Sequence, residues 1–295
     1  MSEKDQTYSS FLNKWENNTN LAFSETLREG SDIFSWIVGR NGFDGPDGLR
    51  DYLSNKTRVL DAGCGNGRVT ALLDKYAPNS AEIVGIDLTA AHVAKENLSG
   101  LSKVSVYPKD LLGDLGDLGK FDFIYCQEVL HHTADPKAAF LNLCGLLAPH
   151  GEIAIYVYKI KAPVREFCDD LIRAMISDLP YDGAVEKMRQ VTEFGKVLSE
   201  LNINVNVPAV DVLDIQKGEY SIQRLIYHFF MKCFWNPELS YDENVAINYD
   251  WYHPQLCTRH TLDEIFGWFE EAGLKVVQHC VDFYGITVRG VRMGA

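Results

Sequence analysis

Residues 58–68 read Arg-Val-Leu-Asp-Ala-Gly-Cys-Gly-Asn-Gly-Arg, an apolar run that carries an acidic residue, Asp61, straight into a glycine-rich turn. Glycines at 63, 65 and 67 let the backbone take positive φ and let a ligand approach without meeting a Cβ. Residues 69–75 then have the apolar spacing of a helix, so the free N–H groups of its first turn are expected to point back into the glycine loop. A buried strand, a tight turn and a helix in that order read as a nucleotide-cofactor site.

The charges separate two cofactor classes that use such a turn. A dinucleotide site takes G-x-G-x-x-G with pyrophosphate against the helix N-terminus, whereas here the glycines run G-x-G-x-G and Asp61 stands just before them. A carboxylate beside two phosphates is unfavourable, but it suits a ligand bearing an ammonium and a sulfonium, which describes S-adenosylmethionine. A second apolar run, residues 82–88, ends in Asp87-Leu88. Asp87 lies at the distance expected of an acid that accepts hydrogen bonds from ribose hydroxyls.

Residues 104–111 end in Asp110-Leu111, residues 121–132 hold Gln127, Glu128, Val129, His131 and His132, and residues 146–155 turn through Pro149 and Gly151 into another apolar run. With the first two motifs, these resemble in order the class I S-adenosylmethionine-dependent methyltransferases over residues 56–158. The resemblance implies an α/β fold with a Rossmann-like, doubly wound seven-stranded sheet that closes on a C-terminal antiparallel hairpin. It implies cofactor contacts from Asp61, Gly63, Cys64, Gly65, Asn66, Gly67, Asp87, Leu88, Asp110, Leu111, Gln127, Glu128, Val129 and His132. The bland reading of a lone glycine turn is ordinary strand-to-helix punctuation, and three acids each ending an apolar run outweigh it. Cys64 and Cys126 read as small buried apolar residues.

Composition narrows the partners. A net charge of −13 with no Lys/Arg-rich block argues against nucleic-acid or anionic-membrane partners. Seven scattered cysteines without a C-x-x-C pair suggest neither a disulfide framework nor a zinc site, so no metal is expected. The first residues lack a basic start followed by an apolar run, and no apolar stretch reaches membrane-spanning length; a cytoplasmic protein is the expectation. A homodimer stays open.

The organisation expected is a helical N-terminal cap over 1–55, a core over 56–158 and 257–295, and a helical lid or substrate insertion over 159–256. Within the insertion, helices are expected at 167–176, 185–201 and 222–234, and residues 251–254 read as irregular. Thr261 and Glu264 have capping-box spacing at the head of a helix that Gly273 would stop, and two closing strands follow. An unstructured connection as long as the insertion would be unusual in a compact domain.

The chemistry this points to is methyl transfer from S-adenosylmethionine, leaving S-adenosylhomocysteine, to a small-molecule acceptor, with oxygen or nitrogen favoured as target and carbon open. Candidate catalytic residues are His132, His253 and Tyr158, and candidate acceptor contacts are Arg40, Tyr156, Tyr158, Arg165, Trp251, Tyr252 and His253. Each has a structural counterpart: Tyr156 and Tyr158 share one face of a strand, Arg165 and Asp169 have the spacing of a solvated helical pair, and His253 sits among aromatics that pack. The other classes are a non-catalytic cofactor-binding scaffold and a nicotinamide-dependent oxidoreductase.

Overall fold

A computed structural model describes residues 2–294. Helices α1 (Glu3–Asn17), α2 (Phe23–Leu27), α3 (Asp32–Arg40) and α4 (Gly45–Leu53) precede an alternation of β1 (Arg58–Ala62), α5 (Arg68–Tyr76), β2 (Glu82–Asp87), α6 (Ala91–Asn97), β3 (Val104–Pro108), β4 (Phe121–Gln127), α7 (Pro136–Gly145) and β5 (Leu147–Tyr158). The helices α8 (Pro163–Ile176) and α9 (Tyr181–Glu200), the strands β6 (Asn204–Val207) and β7 (Gly218–Ser221), and the helices α10 (Ile222–Phe229) and α11 (Tyr241–Tyr252) follow. The chain ends with α12 (Leu262–Glu271), β8 (Leu274–Val281) and β9 (Gly285–Arg292).

Contacts divide the chain into two units, Met1–Lys14 with Ile160–Cys257, and Trp15–Lys159 with Thr258–Ala295. The segment 1–55 is therefore not one body: its first 14 residues group with the helical insertion and the rest with the sheet.

The sheet unit holds a seven-stranded sheet in the order β3-β2-β1-β4-β5-β9-β8. β1 to β5 run parallel, while β9 pairs antiparallel with both β5 and β8. Alternation along each strand builds a core on either face. Leu60, Val84 and Ile124 join Phe140, Ile155, Trp268 and Phe269 on one side, while Val59, Ile83 and Phe123 join Phe34, Leu53 and Leu72 on the other. Strands buried on both faces read as near-continuous apolar runs, which is how β1, β2 and β4 stand in the sequence. Strand order reverses at β1, the position where doubly wound sheets open a crevice at their C-terminal ends.

At α12 the Thr261 hydroxyl accepts the Glu264 N–H at 3.2 Å, but the Glu264 carboxylate turns to His260 Nδ1 at 2.9 Å. The cap is thus one-sided rather than a full capping box. Gly273, with φ +67, takes the left-handed position that stops the helix.

The helical unit departs from expectation in two places. α10 ends at Phe229 instead of running to 234, because the chain beyond it is captured by side chains from other helices. The N–H groups of Lys232, Phe234 and Asn236 donate to Asp169, Asn248 and Asn244 at 3.0, 2.8 and 2.7 Å. Residues 251 and 252, expected to be irregular, belong to α11, which starts on a reciprocal capping box between Ser240 and Glu243. Polar and apolar sides of α11 are both buried, so it shows no amphipathic stripe to read.

Candidate functional site

The loop after β1 takes positive φ at Gly63 (+81), Gly65 (+55) and Gly67 (+86). At Gly63 a Cβ would fall 2.2 Å from Val129 Cγ2, so the residue is fixed by the closeness of the segment after β4. At Gly65 the obstacle would be the Trp15 ring at 2.7 Å. Several amides of the turn are already engaged: Gly63 and Cys64 donate to the Ile86 carbonyl, Gly65 to Asp87 Oδ2, Gly67 to the Cys64 carbonyl and Arg68 to Asn66 Oδ1. The turn therefore spends these N–H groups on its own architecture and on β2, beside the carboxylates of Asp61 and Asp87.

Asp61 is buried and accepts one hydrogen bond, from Thr70 Oγ1 at 2.6 Å. It forms no ion pair among the described residues, and burial raises its pKa to about 7. Asp87 closes β2 half-buried. Its Oδ1 accepts the N–H groups of Thr89 and Ala90 at 2.8 Å and its Oδ2 that of Gly65 at 2.9 Å, so the carboxylate bridges the glycine loop and the start of α6.

The remaining residues expected at the cofactor fall into two groups. Glu128 holds a left-handed φ of +61 beyond β4, and its carboxylate meets Arg68 Nη2 at 3.3 Å, clasping the glycine turn. Gln127 and Val129 flank it half-buried, and Leu88 stands exposed beside Asp87. Asp110 Oδ1 accepts the Leu112 N–H in a local turn. Asn66, Cys64 and Leu111 turn their side chains inward: Asn66 Nδ2 donates to the carbonyls of Thr19 and Leu21, Cys64 packs among alanines and leucine, and Leu111 enters the main core. If these three touch a ligand, they do so through backbone atoms.

At the ends of β4 and β5 four aromatic rings gather. His131 stacks on Tyr158 with centroids 3.6 Å apart, His132 meets Tyr158 edge-on at 5.5 Å, and Tyr156 lies 6.0 Å from Tyr158. The chain that follows the insertion is tied to the same place, with the Thr258 N–H donating to the His131 carbonyl and the His260 N–H to that of Tyr158, both at 2.9 Å. Arg40 is buried with its guanidinium 4.5 Å from both the Trp36 and Tyr156 rings and 2.5 Å from Asp282. This ion pair staples α3 to the β8–β9 turn, while Arg40 Nε and Nη1 stay buried without a hydrogen-bond partner.

In the helical unit, Arg165 and Asp169 are not a solvated pair but a buried one, with Nε to Oδ2 at 3.1 Å. Asp169 Oδ2 also accepts from Trp251 Nε1 at 2.8 Å, and Oδ1 accepts from the Tyr252 hydroxyl at 2.7 Å and the Lys232 N–H at 3.0 Å. Burial alone would raise the Asp169 pKa, yet Arg165 and the donated hydrogen bonds outweigh it and hold the group below the usual carboxylate range.

His253 is corrected more sharply. It caps α11, stacks on Tyr249 with centroids 4.6 Å apart, and places Nε2 3.0 Å from the Leu179 carbonyl and Nδ1 2.9 Å from Ser10 Oγ. A carbonyl only accepts, so Nε2 carries the proton and Nδ1 takes the serine hydroxyl. Desolvation lowers its pKa, and its one lone pair is already engaged, so it is no base for an incoming acceptor.

The structure thus gathers Asp61, the three glycines, Asp87, Glu128 and Val129 at one turn, and His131, His132, Tyr156 and Tyr158 at a neighbouring one. Residues that sequence reasoning passed over are Thr70, Arg68 and Trp15, and Asp169 was read only as a partner of Arg165. Thr70, one turn into α5, was the detectable partner of Asp61; nothing local marks Trp15 as facing Gly65.

Residues 53–221, more than half of the chain, match a family model described as a methyltransferase domain. An uncharacterized protein of Synechococcus is 42% identical over 108 residues, covering 35% of this chain and 26% of that protein. A ubiquinone biosynthesis O-methyltransferase of Xanthomonas oryzae is 37% identical over 112 residues, covering 35% of this chain and 46% of the enzyme. The chain thus matches less than half the length of either relative. Among solved structures, a magnesium protoporphyrin IX methyltransferase from Synechocystis with bound S-adenosylmethionine aligns over 99% of this chain and 98% of its own, at 12% identity and a TM-score of 0.49.

Proposed function

The chain belongs to the family of methyltransferase domains, and from that premise we propose that it transfers the methyl group of S-adenosylmethionine to a small-molecule acceptor. The observation that carries the reading is Asp61: a buried carboxylate with no ion pair among the described residues, beside a glycine turn whose glycine amides are already engaged. Such a turn suits a cationic ligand and disfavours a pyrophosphate, which needs free N–H donors. Nicotinamide chemistry is accordingly the weaker reading.

When bound, S-adenosylmethionine supplies a methyl group already activated by its sulfonium. In this reading Asp61 provides the counter-charge for the ligand's ammonium, and Asp87 accepts from its ribose hydroxyls while its other contacts hold the loop in shape. His131, His132, Tyr156 and Tyr158 supply a largely buried aromatic wall at the adjacent strand ends. Orientation against such a wall contributes ~7 to 11 kcal/mol in favourable cases. His132 takes the proton when the acceptor atom carries one, a step worth about 100- to 10,000-fold, with Tyr158 orienting its ring.

Acceptor contacts are assigned to the helical unit, from Arg165, Trp251 and Tyr252 inward. The O-methyltransferase name of a relative supports oxygen as the target, ahead of nitrogen and carbon. The reading includes no metal. Among the described residues no cluster of three or more histidine, cysteine or acidic ligands forms, and no helix is long and apolar enough to cross a membrane.

Isothermal titration with S-adenosylmethionine, S-adenosylhomocysteine and NAD tests the proposal. Micromolar binding of the adenosyl ligands without NAD is the expected result. Silence toward the adenosyl ligands in a folded protein would remove it and leave the scaffold reading.

A further inference from the structure

The helices α8 and α9 are joined by residues 177–180, and both pack on α10 and α11. The short link turns α9 back beside α8. Their buried sides hold Arg165, Asp169 and Ile176 on one and Ala184, Met188 and Thr192 on the other, while their outer sides carry a row of apolar residues each. On α8 the row is Phe167, Leu171 and Met175; on α9 it is Phe194, Val197 and Leu201, and both follow the three- or four-residue spacing of one helix face. All six are exposed, Phe167 to 71% and Met175 to 69%. At ~150–200 Å² for a fully exposed side chain of this size, the six leave on the order of 600 Å² of apolar surface in water, the top of the range for the largest patch on a monomer.

Between the two rows lies a groove of about 370 Å³. Met175 and Phe194 reach it from the exposed rows, Ile172, Ile176, Met188 and Met231 line it, and the exposed Lys187 stands on its rim. Methionine side chains let such a groove adapt to an aromatic knob. The groove occupies the C-terminal half of α8, whereas Phe167, the most exposed of the six, stands in the N-terminal half, ~12 Å from Met175 along the axis. A face with a hole at one end and a knob at the other is its own complement: a two-fold axis normal to it near Leu171 sets the knob of each copy over the hole of the other. Lys187 makes no ion pair among the described residues, and Asp170, exposed one turn from Phe167, travels with the knob toward the Lys187 of the other copy. The other exposed charges on these helices and their link, from Asp178 to Glu200, are acidic, which disfavours an anionic bilayer as the occupant.

We propose that the outer face of α8 and α9 is the interface of a homodimer, in which Phe167 of each copy enters the groove between Met175 and Phe194 of the other. About 600 Å² of apolar side chain per copy, with the groove and the flanking residues added, reaches the ~800 Å² per partner of a standard stable interface. The pairing is isologous, so it closes at two copies. It concerns the helical unit alone and does not rest on the methyl-transfer reading.

Sedimentation equilibrium of the full-length protein tests the interface. A reversible monomer–dimer equilibrium at micromolar concentration is expected. Phe167→Glu and Phe194→Glu, each at an exposed position, should weaken the dimer by about tenfold or more, because each sets a carboxylate in the apolar contact, and the far-ultraviolet circular dichroism should stay as it is. Val277→Glu, comparably exposed on β8 of the sheet unit, should leave the dimer intact. A monomer throughout the micromolar range, a dimer indifferent to both substitutions on the face, or one lost in Val277→Glu would overturn the proposal. So would flotation of the monomer with phosphatidylcholine vesicles that Phe167→Glu abolishes, since it would give the face to a lipid surface.

Discussion

Asp61 and Asp169 are both buried carboxylates, one in each unit, and they are held in opposite ways. Asp61 accepts from the neutral Thr70 hydroxyl and forms no ion pair among the described residues, so desolvation outweighs the influence of Arg68 and raises its pKa to about 7. Asp169 has a guanidinium and three further donors, so its charge is stabilised despite equal seclusion from water. Desolvation penalises both alike; pairing is what separates them. The protein has completed the electrostatics of one site and left the other incomplete, which is the arrangement expected where a cationic ligand is to arrive.

The largest break in this contrast comes from removing Asp169. Asp169→Ala strands Arg165 as a buried unpaired charge, and denaturant unfolding should show a loss of about 3–5 kcal/mol. A loss below ~1 kcal/mol would mean that Arg165 is satisfied by something other than Asp169.

A smaller effect is expected at the turn. Asp87→Ala removes the carboxylate proposed to hold the ribose, and calorimetry should record S-adenosylmethionine binding weaker by roughly 1.5–3 kcal/mol. Unchanged affinity would take Asp87 off the ribose and leave it only its loop-bridging contacts.

The finest test is pH. Because the folded pKa of Asp61 is raised, the folded chain holds a proton that the unfolded chain has lost between the usual carboxylate range near pH 4 and about pH 7. The contribution of Asp61 to stability therefore falls as pH rises through that window and is flat above it. Cofactor affinity should run the other way, rising about tenfold per pH unit, or ~1.4 kcal/mol, up to pH 7 as binding expels the proton. Calorimetry in buffers of different ionisation enthalpy should detect close to one proton released at pH 6, and Asp61→Asn should abolish it. A release unaffected by Asp61→Asn would assign the proton elsewhere.

Much of the sheet was legible because its signals are local. Asp61, Asp87 and the glycines at 63, 65 and 67 stand where an apolar run stops, and strand ends in a parallel sheet are where ligands are met. The closing strands and the Gly273 stop were likewise legible. The helical unit was read less well: α11 hides its periodicity because it is buried on both its polar and apolar sides, and α10 is cut short by asparagine and aspartate side chains that reach it from other helices. His253 shows the same limit at the level of chemistry. Its place beside Trp251 and Tyr252 suggested a reactive residue, whereas Ser10 and Leu179, far away in sequence, occupy both of its nitrogens.

By itself the sequence determined the strand–turn–helix core, its order of acids and its two-sided burial, since turn geometry, helix stops and strand alternation depend on residues within a few positions of one another. Only the tertiary structure decided the charge states and allegiances: that Asp61 has no ion pair among the described residues, that Asp169 is given one, that Arg40 pairs with Asp282, and that glycine-loop amides are bound to β2. Desolvation and pairing are set by what packs against a group from elsewhere in the chain, and no local pattern encodes that neighbour.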